Sequence, residues 1–148
     1  MESVSGEILQ ESILKIIMAT ICGGVIGYER KTAGKPAGLR TNMLICVGSS
    51  LIMVLSMNLS LSYNETLQER GYNPSGIPGD PARLAAQVVS GIGFLGAGAI
   101  LQSRGSIVIG LTTAATVWAN SAIGLCIGAG YYILGLFSTG IHDWPLYE

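Results

Sequence analysis

Three glycines in the stretch SGIGFLGAGAI have the spacing G-x-G-x-x-G, which can cradle the pyrophosphate of a dinucleotide. They are Gly91, Gly93 and Gly96. A nucleotide site of this kind needs a strand before the glycines and an acidic residue about 20 positions after them. Here the preceding residues PARLAAQVV are typical of a helix, and no Asp or Glu lies between Asp80 and Asp143. The glycines therefore indicate something other than nucleotide binding.

A second group of residues that could take part in chemistry consists of charged side chains beside long apolar runs. Ionisable groups at membrane depth are costly and are functional candidates by default, although anchoring at the interface and ion pairing at helix ends are the plainer interpretation. Glu29 and Asp80 are the carboxylates that could bind Mg²⁺, which prefers oxygen ligands and often takes only one or two carboxylates. No other cofactor is predicted. The whole group comprises Glu29, Arg30, Arg40, Asp80, Arg83 and Arg104.

Uncharged polar residues form a third group. Gln87 and Ser90 follow Arg83 at i+4 and i+7, so the three share one helix face, which could line a wet cavity or bond to neighbouring helices. Trp118 and Trp144 are expected to anchor at the membrane interface. The remaining polar residues could line a pore or bond to their own helix carbonyls; they are Thr112, Thr113, Thr116 and Asn120.

The residues of nucleophilic and zinc chemistry are too dispersed for catalysis. Cys22, Cys46 and Cys126 stand singly in apolar runs, and His142 is the only histidine. Zinc sites and Cys-His catalysis both need clusters of such residues. The sequence therefore predicts no enzyme, and it predicts that the cysteines pack as small buried residues.

The composition is that of a membrane protein. Among 148 residues, 49% are hydrophobic and 11% are charged, whereas soluble domains have about 25% charged residues. The formal net charge of −1 gives no reason to expect a nucleic-acid partner. The length suits one domain, spanning residues 1–148, in contact with lipid.

Four apolar stretches could position these residues. The first two, 12–28 and 41–61, would be helices of about 25 and 31 Å, against a hydrocarbon core of about 30 Å. The third, 84–101, is expected to begin near Pro81 with Asp80 as its N-cap. The fourth, 106–141, contains no charge and would be about 54 Å long as one helix, so it must break.

The predicted break divides the last stretch into a short helix over about 107–118, which could be re-entrant, and a full span over about 119–136. Two short tilted spans are the alternative. The predicted fold is thus an all-α integral membrane protein with four full transmembrane helices and a short fifth.

The glycines are explained by helix packing, because small residues let helices approach closely in lipid. The third helix has small side chains on nearly every face, because it contains Gly91, Gly93, Gly96 and Gly98 with several alanines around them. We therefore expect this helix at the centre of the bundle. Two further pairs repeat the pattern and could equally form a dimer face, so a homo-oligomer is an open alternative; they are Gly23 with Gly27 and Gly124 with Gly128.

The orientation follows from the basic loop 30–40, which holds Arg30, Lys31, Lys35 and Arg40. By the positive-inside rule this loop is cytoplasmic, the N-terminus is outside, and loop 63–83 is external. The acidic first eleven residues argue against a secretory signal peptide.

Three blocks of the sequence resemble the hallmark blocks of the MgtC/SapB family: GYERKTAGKPAGLRTNMLICVGSSL, DPARLAAQVVSGIGFLGAGAIL and GLTTAATVWANSAIGLCIGAGYY. The resemblance implies a bacterial inner-membrane protein linked to magnesium limitation, acid stress and survival inside macrophages. It also implies action on other membrane proteins, including the proton-translocating ATP synthase. The polar residues that match the motifs are Glu29, Arg30, Arg40, Thr41, Asp80, Arg83, Gln87, Ser90, Thr112, Thr113 and Trp118.

Two hypotheses follow. The first is a non-enzymatic regulator that binds other membrane proteins through small-residue faces and the basic loop, with Glu29 and Arg40 pairing to shape that loop. The second is a transporter or channel for Mg²⁺ or another cation, with Glu29 and Asp80 as ligands. Many family members also carry a soluble ACT-like domain, which this sequence lacks after its IGAGYY block. The shortage of acidic residues inside the predicted helices favours the regulator.

Overall fold

The computed structural model describes residues 2–72, 80–100 and 109–142, with side chains from residue 6 onward. Its regular structure in these ranges is entirely α-helical. The helices are α1 (Glu2–Thr32), α2 (Leu39–Glu69), α3 (Ala82–Ile100), α4 (Leu111–Gly128) and α5 (Tyr132–His142). Arg104 and Trp144 lie outside the described residues.

The predicted fold class is confirmed. Helices α1 to α4 are each long and apolar enough to cross a membrane, whereas the 11 residues of α5 extend only about 16 Å. Helices α1 and α2 extend several residues beyond the predicted apolar runs. Helix α3 begins where expected, because Asp80 Oδ1 accepts a hydrogen bond from the backbone N–H of Ala82 at 2.9 Å.

The predicted break in the last apolar stretch is wrong in position and order. The full-length helix comes first and the short helix follows, with the break after Gly128. Gly130 adopts a left-handed φ of 89°, and the N–H groups of Gly130 and Tyr131 bond to the carbonyls of Ile127 and Cys126 at 2.9 Å. Such a glycine ends a helix in the usual way. The polar residues around Asn120 do not end it, because their side chains bond inside the bundle.

Helix α4 lies at the centre, and the prediction that the third helix is the most buried is wrong. Helix α4 contacts all four other helices, and nine of its 18 residues are buried. Only Ile92 and Gly96 are buried among the 19 residues of α3. The close packing expected for α3 occurs instead between α2 and its neighbours α1 and α4.

Two glycine pairs set these close contacts. A Cβ atom added at Gly23 would lie 2.7 Å from Asn42 O on α2, and one at Gly27 would lie 2.7 Å from Leu39 Cα. On the other side of α2, a Cβ at Gly128 would lie 2.6 Å from Ser50 O, and one at Gly124 would overlap the carbonyl of Cys46. Backbone approach this close needs glycine, so these pairs hold helices of one chain together.

The order of these contacts gives the helix directions. The residue numbers of contacting pairs increase together along α2 and α4, as in Gly124 with Cys46 and Gly128 with Ser50, so these two helices are parallel. Contacts of α1 and α3 with α2 run in the opposite order, so α1 and α3 are antiparallel to α2 and α4. Helix α5 folds back along α4, since Gly135 packs on Ile127 and the His142 ring lies 3.3 Å from Thr116 Oγ1. The chain thus returns toward the end of the bundle where α4 begins.

Candidate functional site

Polar side chains line the contact between α2 and α4 deep in the bundle. Asn42 and Asn120 are both fully buried. The Asn120 amide donates to the backbone carbonyl of Asn42 at 2.7 Å and to Asn42 Oδ1 at 3.1 Å, while Asn42 Nδ2 donates to the carbonyls of Ala37 and Gly38. Because lipid offers no hydrogen-bond partners, such pairs fix helices relative to one another.

Further along α2 and α4, the hydroxyls of Ser49 and Ser121 are 3.0 Å apart and buried. We name this set the polar seam: Asn42, Ser49, Asn120 and Ser121. Ser50 Oγ and Asn120 Oδ1 are buried and have no hydrogen-bond partner in the described part of the chain. The seam consists of neutral amides and hydroxyls, so it suits positioning of helices better than binding of a cation.

Arg30 lies at the end of α1 beside the start of α4. Its side chain is buried, with 5% exposed, and Nη2 donates to Thr113 Oγ1 at 2.6 Å and to the Pro36 carbonyl at 3.3 Å. Thr113 is itself buried. Of the predicted polar residues, Arg30 and Thr113 are thus brought together by a direct hydrogen bond.

The other polar residues that match the family motifs are exposed and take no part in this contact. Within the described ranges no ion pair joins Glu29 to Arg40, so the predicted pair is absent. Asp80 caps α3 and forms no ion pair with Arg83 in the described part of the chain. Trp118 lies inside α4, about 10 Å from its first residue. The exposed set is Glu29, Arg40, Thr41, Asp80, Arg83, Gln87, Ser90, Thr112 and Trp118.

Glu29 and Asp80 are at opposite ends of the bundle. Glu29 is close to the start of α2, since Gly27 packs on Leu39, whereas the residue after Asp80 accepts a hydrogen bond from Ser56 Oγ at 2.6 Å. The 17 positions from Leu39 to Ser56 span about 26 Å of helix. One metal ion cannot contact both carboxylates. Within the described residues there is also no group of three or more His, Cys, Asp or Glu that could hold a metal.

Helix α3 is held to the bundle at a few points and is open elsewhere. Ile92 packs with Ile45 and Val117, and Gly96 faces the Ala114 methyl group at 3.6 Å. For Gly91, Gly93 and Gly98 nothing lies within 4 Å of an added Cβ. The predicted helix-packing contacts of these three glycines are therefore absent within the described chain.

A groove of about 820 Å³ separates α2 from α3. Gly48 and Gly91 form part of its wall, with Leu and Ile side chains making most of the rest. Gln87 also lines it, and this exposed amide has no hydrogen bond among the described residues. We name the helix side that adjoins this groove the α3 face: Gln87, Ser90, Gly91, Phe94 and Gly98, which lie three or four residues apart along the helix.

Sequence reasoning missed the polar seam as a unit. Asn120 stood out as a polar residue in an apolar run, but Asn42 and Ser49 did not, because single amides and hydroxyls are common in membrane helices. The spacing of Asn42 and Ser49, two turns apart on α2, and of Asn120, Ser121 and Gly124 on α4 is the signal that could have revealed it.

Comparison with known proteins gives a consistent result. The MgtC family model matches residues 16–146. The chain is 46% identical over 129 residues to the Escherichia coli K12 protein named "Putative magnesium transporter YhiD", covering 87% of this chain and 56% of that protein. It is 40% identical over 120 residues to protein SapB of Bacillus subtilis, covering 81% and 48%.

Protein MgtC of Salmonella typhimurium is 40% identical over 127 residues, covering 86% of this chain and 47% of that protein. The chain thus spans about half the length of these relatives. No solved structure matches it significantly. The helices, the ordered motif blocks and these matches agree, and the chain belongs to the MgtC family.

Proposed function

We propose that this chain is a non-enzymatic regulator in the bacterial inner membrane, active under magnesium limitation, that binds a transmembrane helix of another membrane protein at the α3 face. The observation that carries the proposal is that α3 is long and apolar enough to span a membrane and yet leaves three glycines unpacked. Glycines on a membrane helix permit close approach of a second helix.

Gln87 makes a helix a better occupant than a lipid tail. Its exposed amide has no hydrogen bond among the described residues, and an unpaired amide in hydrocarbon is costly. An acyl chain offers no donor or acceptor, whereas a helix with a polar side chain or an exposed carbonyl does. The expected partner is therefore a membrane helix with a polar group facing Gln87.

The family supports the physiological setting. The names of the relatives include "Protein MgtC" and "Putative magnesium transporter YhiD", and the chain matches about half of the length of each. A regulator that acts by contact needs no carboxylate path across the membrane, which agrees with the separation of Glu29 and Asp80.

Leucine substitution tests the face. Gly91→Leu should insert and remain stable, because its site is open, but should fail to restore growth in low magnesium to a strain without the gene. Gly140→Leu on α5 is the matched control, since that glycine is also open and lies off the α3 face. Full complementation by Gly91→Leu would contradict the proposal.

Photo-cross-linking identifies the occupant. A cross-linker at Phe94, which is 82% exposed, should give an adduct with another membrane protein that disappears in Gly91→Leu. The same group at Ile133, 85% exposed on α5, should give none. An adduct of two copies of this chain would indicate self-association instead.

We also propose that loop 30–40 faces the cytoplasm, on the basis of its four basic residues. Lys35→Cys in a background without the native cysteines should resist an impermeant maleimide in intact cells and react after lysis. Labelling in intact cells would reverse the orientation.

A further inference from the structure

We propose that Arg30 and the amino end of α4 form a binding site for a phosphate group. Arg30 is 5% exposed and its guanidinium is directed at the first turn of α4, where Nη2 bonds to Thr113 Oγ1 at 2.6 Å. The Nε–H of the same side chain is buried and has no hydrogen-bond acceptor among the described residues.

The charge of Arg30 has no counter-ion in the described chain. Its two acceptors there, the Thr113 hydroxyl and the Pro36 carbonyl, are neutral, and no carboxylate of the described residues lies within 4.0 Å. A buried cation is costly unless it is paired. The position at the end of α1 offsets part of this cost, because the carboxyl end of a helix favours a cation.

The neighbouring helix end adds positive potential. Gly110 caps α4 with a left-handed φ of 96° and no side-chain hydrogen bond. Among the described residues, the first backbone N–H groups of α4 therefore have no intrahelical or capping side-chain acceptor, and the helix dipole is positive there. An arginine side chain beside such an amino end adds to its attraction for an anion.

Other basic side chains surround this end of the bundle. Helix α2 runs parallel to α4, and its amino end, capped by Gly38 without a side-chain bond, opens onto a cavity of about 390 Å³. Lys31 and Arg40 line that cavity. These exposed cations raise the local concentration of anions. They are not the proposed site, because surface charges alone specify no ligand.

The donor set suits phosphate better than a carboxylate. A guanidinium from α1 with a hydroxyl and backbone N–H groups from α4 supplies several donors, which suits the several acceptor oxygens of a phosphate. Since the site is at helix ends, the phosphate can be that of an anionic lipid headgroup or a free phosphate ion.

Binding can be measured on the full purified chain in an uncharged detergent. Thermal unfolding is followed against inorganic phosphate, with chloride at matched ionic strength, and native mass spectrometry counts retained lipids after reconstitution with phosphatidylglycerol or phosphatidylcholine. A free-phosphate site gives saturable stabilisation by phosphate. A headgroup site gives one retained phosphatidylglycerol per chain, in excess over phosphatidylcholine.

Variants assign the site. Arg30→Gln should weaken binding at least about tenfold, and Arg30→Lys should weaken it less, because lysine keeps the charge but loses the bidentate fork. Thr113→Val should weaken it about threefold, as expected for one hydrogen bond. The matched control is Arg70→Gln, which makes the same charge change at the far end of α2 and should leave affinity within about twofold, since exposed charges act weakly at that distance.

Two outcomes would overturn the proposal. One is that the unmodified chain shows no saturable binding of inorganic phosphate and no preference for phosphatidylglycerol. The other is that a folded Arg30→Gln variant binds as the unmodified chain does, which would leave Arg30 as a structural link between residues 33–38 and α4. If Arg30→Gln does not fold, Thr113→Val and Arg30→Lys decide, and unchanged affinity in both counts against the site.

Discussion

The contact between α2 and α4 and the exposed side of α3 contain the same small residues but use them differently. On α4, Gly124 and Gly128 meet the backbone of α2 so closely that a methyl group has no room. On α3, Gly91, Gly93 and Gly98 face open space. A glycine pattern in a membrane helix thus predicts where a helix can be approached, but not whether the approaching helix belongs to the same chain.

The largest expected effect distinguishes these two kinds of glycine. Gly124→Ala places a methyl group against the Cys46 carbonyl and should destabilise the protein by about 1–3 kcal/mol or more through overpacking. Gly93→Ala should be neutral or stabilising by up to about 1 kcal/mol, since alanine favours helix and its site is empty. Thermal unfolding in detergent measures both. Equal losses of stability in the two variants would contradict the assignment of core and exposed face.

The next effect concerns the polar seam. Asn120→Ala removes the partner of Asn42 and leaves buried polar groups unpaired, which should cost about 1–3 kcal/mol. Thr112→Ala, at an exposed position on the same helix, is the control and should change stability by less than about 0.5 kcal/mol. The free energy of unfolding of each variant, measured in mixed detergent, tests this difference. An Asn120→Ala protein as stable as Thr112→Ala would show that the seam contributes little to folding.

The smallest effect is the coupling between Ser49 and Ser121. Their hydroxyls are 3.0 Å apart, and hydrogen bonds between membrane helices contribute about 0.6 kcal/mol on average. A double-mutant cycle with Ser49→Ala and Ser121→Ala should give a coupling of about that size. A coupling of zero would restrict the stabilising part of the seam to the asparagine pair.

Much of the fold could be predicted from the sequence because hydropathy and helix length determine it directly. The four long apolar helices, the short fifth and the cap at Asp80 all follow from local signals. The order of the last two helices did not follow from local signals. The break depends on Gly130, and the chain has 21 glycines, so the sequence does not mark this one as the residue that ends the helix. Only the packing around Asn120 shows that its polar neighbours stay helical.

The central position of α4 is the other feature that the sequence did not reveal. Small residues are concentrated in α3, so a count of small residues favours α3 as the central helix. What places α4 there is the match of Asn120, Ser121 and Gly124 to Asn42, Ser49 and Cys46 on α2. Such a match involves residues more than 70 positions apart, and local patterns carry no information about it. The burial of Arg30 against Thr113 is a long-range contact of the same kind.

We propose that the protein acts by contact with another membrane protein and not by ion transport. Magnesium influx into vesicles that contain only this protein, reported by an internal Mg²⁺-sensitive dye, tests it most directly. With insertion and orientation verified, we expect influx no greater than in protein-free vesicles, and no difference between the unmodified chain and Asp80→Asn. Saturable influx that Asp80→Asn abolishes would contradict the claim and establish a transporter.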